Sequence, residues 1–180
     1  MIILASQSPR RKTLLKYITE DFITRTADVD ERLPEGISPE AAVLYLSRIK
    51  AEPFMNENDI VIGADTVVAI DGKILGKPSD KADARNMLRL LSGRKHSVFT
   101  GVTVIKGDHC ESFYCETKVK FFDLSEDTIE RYVNTGEPLD KAGAYGIQGF
   151  GSLLVEGIEG DYFNVVGLPV SRLNILLSKM

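Results

Sequence analysis

The chain has 180 residues, 43% of them hydrophobic and 27% charged, which is enough to bury a substantial core in one large domain or two small ones. A net charge of −4 speaks against nucleic acid held by bulk charge. No apolar run approaches the roughly 20 residues that span a membrane.

Met1 to Ala5 is too short for a signal-peptide core and has no basic residue before it, which predicts a cytoplasmic protein. Cys110 and Cys115 fall on opposite faces of one strand-like run and cannot pair within it. The two histidines, His96 and His109, have no setting for a zinc site or a Ser-His-Asp triad. Hydrolytic chemistry here has to rest on carboxylates and cations, with or without a bound metal.

Ile2 to Ala5 reads as a short strand. Ser6, Gln7, Ser8, Pro9, Arg10 and Arg11 follow, with Ser8 a good N-cap and Pro9 a good first helical residue. Free backbone N–H groups at such a start favour an anion. Arg10 and Arg11 oppose the helix dipole there, which is explained by a bound partner or by simple solvation. Neither a P-loop nor a G-x-G-x-x-G fingerprint is present.

Phe22 to Thr26 is a second strand, and Asp28, Asp30 and Glu31 form an acidic loop after it. Ser38 and Pro39 open a helix to about Glu52, with Ala42, Val43, Leu46 and Ile49 on its apolar stripe. Lys50 shares that stripe, so it either snorkels or reaches into a site.

Ile60, Val61 and Ile62 predict a strand buried on both faces. Gly63 and Ala64 remove bulk, so that another backbone or a ligand comes close. Asp65 is expected at the end of that strand, where ligands of open α/β sheets bind. Asp71-Gly72 between apolar runs predicts a hairpin that returns Lys77 toward Asp65. Ser79 is expected to cap a helix over 80–92, ended by Gly93.

Residues 97–105 and 110–122 predict a second hairpin, and Ser125 caps a helix to about Thr135. Gly143, Gly146, Gly149 and Gly151 mark residues 137–151 as a loop whose backbone approaches something. Residues 152–155 read as a strand and 168–180 as a closing helix. The order predicts an α/β fold: a mixed, twisted sheet with flanking helices, one structural unit with two lobes around a cleft. Cations, together with the acids Glu31 and Asp65, suit a polyphosphate and a divalent metal.

The chain resembles the Maf family of nucleoside triphosphate pyrophosphatases over nearly its whole length. The carriers are Leu4 to Arg11, Asp30-Glu31, Lys50-Ala51, Ile62 to Thr66, Gly76 to Pro78, Tyr145 to Gly149 and Val166 to Pro169. The resemblance implies a Maf/ITPase-like domain over 1–180, homodimeric, cleaving an NTP to NMP and pyrophosphate with Mg2+ or Mn2+. It implies Asp65 as proton acceptor, Glu31, Lys50 and Lys77 as catalytic groups, and Ser6, Ser8, Arg10 and Arg11 as substrate-binding ones. Glu31 and Asp65 are the implied metal ligands. Asp65-Thr66 and Ile147-Gln148-Gly149 resemble the branch acting on dTTP and UTP, with Arg10, Thr66 and Gln148 as its specificity positions. A regulator of septum formation, a nucleic-acid-binding module and a phosphotransferase are the other classes weighed. The charge and the lack of aromatic-basic interleaving oppose nucleic acid. The missing phosphate-loop lysine motif opposes phosphotransfer.

Overall fold

A computed structural model describes residues 1–180, built on one mixed sheet of seven strands. β1 (Ile2–Ala5) lies between β2 (Phe22–Arg25) and β3 (Ile60–Ile70), all parallel. β4 (Lys73–Leu75), β5 (Lys95–Lys106), β6 (His109–Phe121) and β7 (Val155–Glu159) join antiparallel. The spatial order is β2-β1-β3-β5-β6-β7, with β4 on the end of β3. This is the α/β class expected from the sequence. The Asp71-Gly72 turn has both residues at positive φ, 52° and 73°, as a two-residue hairpin demands.

Side chains alternate across the sheet and sort onto two faces. On one face, Leu4, Ile62, Ala64 and Val104 pack with α1 (Pro9–Leu15) and α6 (Val170–Leu177). Farther along that face, Val68, Val98 and Phe121 pack with α3 (Lys81–Leu91) and α4 (Glu126–Asn134). Thr66, Thr100 and Thr117 lie on the same face, on the stretch of the strands between those two apolar clusters. The other face is covered by α2 (Pro39–Ala51).

The seating of α2 depends on two strand glycines. A Cβ on Gly63 would lie 2.1 Å from the Ser47 carbonyl oxygen, and one on Gly101 2.3 Å from that of Val43. Backbone of α2 therefore rests directly on backbone of β3 and β5. Ser47, fully buried, bonds Thr103 Oγ1 at 2.8 Å and belongs to the covered face of α2, where Ile49 was expected.

Four expectations are corrected. Asp65 is not at a strand end: β3 runs on to Ile70 because β5 pairs with it almost throughout. The cap of α3 is Asp80, which accepts from the Asp83 N–H at 2.8 Å, while Ser79 donates to the Asp83 carboxylate. Residues Gly149–Leu154 form a 3-10 turn, and the strand starts at Val155. That turn is shaped by backbone N–H groups of 150 and 151 bonding a carboxylate outside it. The closing helix begins at Val170, because a short helix unforeseen in the sequence, α5 (Tyr162–Val166), ends on the amides of Gly167 and Leu168 bonding the Phe163 carbonyl.

Candidate active site

β1 pairs with β3 only as far as Ala5 opposite Gly63, and β4 takes up the same edge at Val68. Between them the edge of β3 has no strand beside it. Asp65 and Thr66 lie in that interval and line a cavity of about 760 Å3. The Asp65 side chain points to the α2 face and that of Thr66 to the α1 face, so the gap gives a ligand access to both.

On the α2 side, Lys50 bonds the Asp65 carboxylate and lies 2.9 Å from Glu31 Oε2. Its side chain is 18% exposed, so it reaches into the site and does not snorkel to the surface. Of the acidic loop, only Glu31 lines the cavity. Asp30 turns outward to Arg32, and Asp28 does not line the cavity.

On the other side, Arg11 makes three contacts. Its Nε donates to the Gly167 carbonyl at 2.8 Å, Nη2 to Thr66 Oγ1 at 3.1 Å and Nη1 to Ser6 Oγ at 3.4 Å. Gly167 has φ 125°, which L side chains rarely adopt, so its carbonyl is aimed by a residue that has to be glycine. Burial lowers the Arg11 pKa, with the Asp65 charge opposing, yet a guanidinium stays protonated. Two of its five N–H donors remain free for a ligand.

The hydroxyls behind Arg11 have a fixed direction. Thr100 Oγ1 donates to the Asn164 carbonyl at 2.8 Å, since a carbonyl only accepts. Its one proton is thereby engaged, so in the 2.8 Å contact with Thr66 it accepts and Thr66 donates. Thr66 then accepts from Arg11.

Ser8 caps α1 by accepting from the Arg11 N–H at 3.4 Å, and Ser6 Oγ accepts from the Ser8 N–H at 3.2 Å. Arg10 sits at the rim, 3.8 Å from Asp140. Lys77, exposed after β4, lines the cavity as the hairpin geometry predicts. Gln148 is exposed on the wall formed by the 3-10 turns of residues 137–154. The structure thus brings Ser6, Ser8, Arg10, Arg11, Glu31, Lys50, Asp65, Thr66, Lys77 and Gln148 to one cavity.

The family model described as Maf-like protein matches residues 1–180. This chain belongs to the Maf-like proteins. A dTTP/UTP pyrophosphatase of Clostridioides difficile is 52% identical over 184 residues, covering 99% of this chain and 94% of that one. One from Bacillus pumilus is 51% identical over 173 residues, covering 95% and 92%. The solved Staphylococcus aureus Ham1 protein overlays 68% of this Maf-like chain and 72% of its own at TM-score 0.49 and 19% identity.

Sequence reasoning did not single out Asp140 and Lys141, which also line the cavity, nor Thr100, Asn164 and Gly101 behind it. Thr100 and Gly101 are hidden inside an apolar strand run, where the signal is only a small or polar residue out of pattern. No cluster of three or more His, Cys, Asp or Glu side chains is placed to hold a metal ion. Glu31 and Asp65 do converge on one ammonium group, a donor pair suited to a divalent ion that takes its other ligands from phosphates and water.

Proposed function

We propose that this Maf-like protein hydrolyses dTTP and UTP to the nucleoside monophosphate and pyrophosphate. The observation that carries the reading is Asp65, a carboxylate 9% exposed that bonds Lys50 in a cavity also lined by Arg10, Arg11 and Lys77. Curated relatives about half identical over nearly the whole chain bear the name of that activity. The cavity falls within the ordinary range for small-ligand sites, about 300–1,000 Å3.

In this reading, Lys77, Arg10 and the two free Arg11 donors take the phosphate charge. Asp65 accepts a proton from water as its oxygen bonds the α-phosphorus. The bond from that phosphorus to the bridging oxygen breaks, and pyrophosphate leaves with the electron pair. Lys50 holds Glu31 and Asp65 in place. Mg2+ or Mn2+ would be held by Glu31 and Asp65, and when bound supplies positive charge to the phosphates and acidifies water. Gln148 reads the pyrimidine edge, since its amide offers both a donor and an acceptor. Residues 1–180 act as one domain in a cytoplasmic homodimer, for which exposed Phe150 and Leu153, 60% and 74% accessible, offer apolar surface. No helix is long and apolar enough to cross a membrane.

Hydrolysis in oxygen-18 water tests the step: label should appear in the monophosphate, and label in pyrophosphate refutes attack at the α-phosphorus. Asp65→Asn should lower turnover by roughly 10²–10⁴ while nucleotide affinity survives. Near-normal turnover in that variant would remove Asp65 from the chemistry.

A further inference from the structure

The wall that carries Gln148 is held from behind by one carboxylate and one phenol. Glu137 Oε2 accepts from the Phe150 N–H at 3.1 Å, and Oε1 from the Gly151 N–H at 3.0 Å. Tyr132 donates its O–H to Glu137 Oε1 at 3.0 Å and accepts the Gly146 N–H at 3.1 Å. The anchored amides therefore bracket Gln148 on both sides, two residues before it and two and three after. The main-chain carbonyl of Glu137 also accepts from Lys141 Nζ at 2.7 Å, which ties a second cavity-lining residue to the same anchor.

Neither Glu137 nor Tyr132 lines the cavity. Tyr132 is 4% exposed, and Glu137 is half-buried. Burial also pushes the Tyr132 phenol pKa up, which keeps its proton in place for donation. A main chain whose amides end on a fixed carboxylate cannot slide along the wall without breaking those hydrogen bonds, and the part-buried amides of Gly146 and Gly151 would be left unpaired.

We propose that Glu137, with Tyr132, is a positioning residue for nucleobase selectivity: the pair sets where Gln148 stands without touching the substrate. The inference rests on Gln148 reading the base. Glu137→Gln is the isosteric probe, because an amide can accept from the two backbone donors through one oxygen only and turns an N–H toward the other. The quantity to measure is the ratio of kcat/KM for UTP over CTP, taken on the same sample, since that ratio cancels the amount of folded enzyme.

Glu137→Gln should lower the ratio by roughly fivefold or more. In combination with Gln148→Ala it should add little, because both changes remove one interaction. Amide exchange at Gly146, Phe150 and Gly151 should accelerate in Glu137→Gln. Tyr132→Phe, which deletes a single hydroxyl, should lower the ratio in the same direction and stands in should Glu137→Gln not fold. An unchanged ratio, or an effect fully additive with Gln148→Ala, overturns the proposal. Failure of the wild type to prefer UTP would instead sink the substrate reading. The exchange measurement then decides alone, and unchanged protection in Glu137→Gln overturns the clamp as well.

Discussion

Thr66 illustrates how one proton fixes a role. The sequence places it directly after the central acid, and its resemblance-based role is specificity. In the structure its proton goes to Thr100 and its oxygen accepts from Arg11, so its leverage on a ligand passes through the guanidinium. Thr100 is fully buried and lines no part of the cavity. Thr100→Val should nevertheless raise KM for dTTP several-fold, because Thr66 loses its acceptor and Arg11 its orientation. Stability should fall by about 1–3 kcal/mol from the unpaired Asn164 carbonyl. Thr100→Ser should restore both, and a normal KM in the valine variant would dismiss the relay. Asp65 and Lys50 were legible because charged side chains stand out from an apolar strand and an apolar helix stripe, whereas Glu31, one acid among three in a polar loop, was singled out only by the family resemblance. Thr100 was not, because a threonine inside a strand is ordinary and its direction of donation exists only once Asn164 is beside it.

At the scale of elements, the strands and most of the caps were legible: hydrophobic period, Ser38-Pro39 and Asp71-Gly72 place themselves locally. Three things were not. The true length of β3 depends on β5, ten residues of which pair with it. The turn at 149–154 depends on Glu137 from outside it. α5 has only five residues, too few for a helical period to register. The packing of α2 was half legible, through Gly63 but not Gly101. Gly63→Ala tests it. The new methyl would meet a backbone carbonyl 2.1 Å away, so α2 has to lift and carry Lys50 off Asp65. We expect a loss of about 1–3 kcal/mol in chemical denaturation, with turnover falling more than the folded fraction does. Activity that tracks the folded fraction alone would mean that Lys50 is not positioned by this contact.

Across the whole molecule, His96 makes stability depend on pH. It is 3% exposed, its Nε2 contacts the Tyr145 hydroxyl at 2.7 Å and its Nδ1 has no partner. Burial lowers its pKa from 6.5 to about 4. Above pH 6.5 the ring is neutral in both folded and unfolded chains and contributes no pH dependence. Between 6.5 and about 4 the unfolded chain binds a proton that the folded one refuses, so stability falls as the pH drops. The full loss approaches about 3 kcal/mol. Denaturation midpoints at pH 7, 5 and 4 should show this fall, and His96→Gln should flatten it; an equal slope in the variant would assign it to carboxylates. The interrupted edge of β3 has a consequence for how such a molecule can change over generations. Its floor is pinned from behind by β5, whereas three of the borders of the opening belong to separate pieces: the β1–α1 turn, the β4 hairpin and the turn after Tyr145. Each border can be exchanged without cutting a rung of the ladder that carries Asp65. Substrate range and fold are therefore separately heritable here, and a library confined to those three borders should yield altered nucleotide preference at little cost in folded yield.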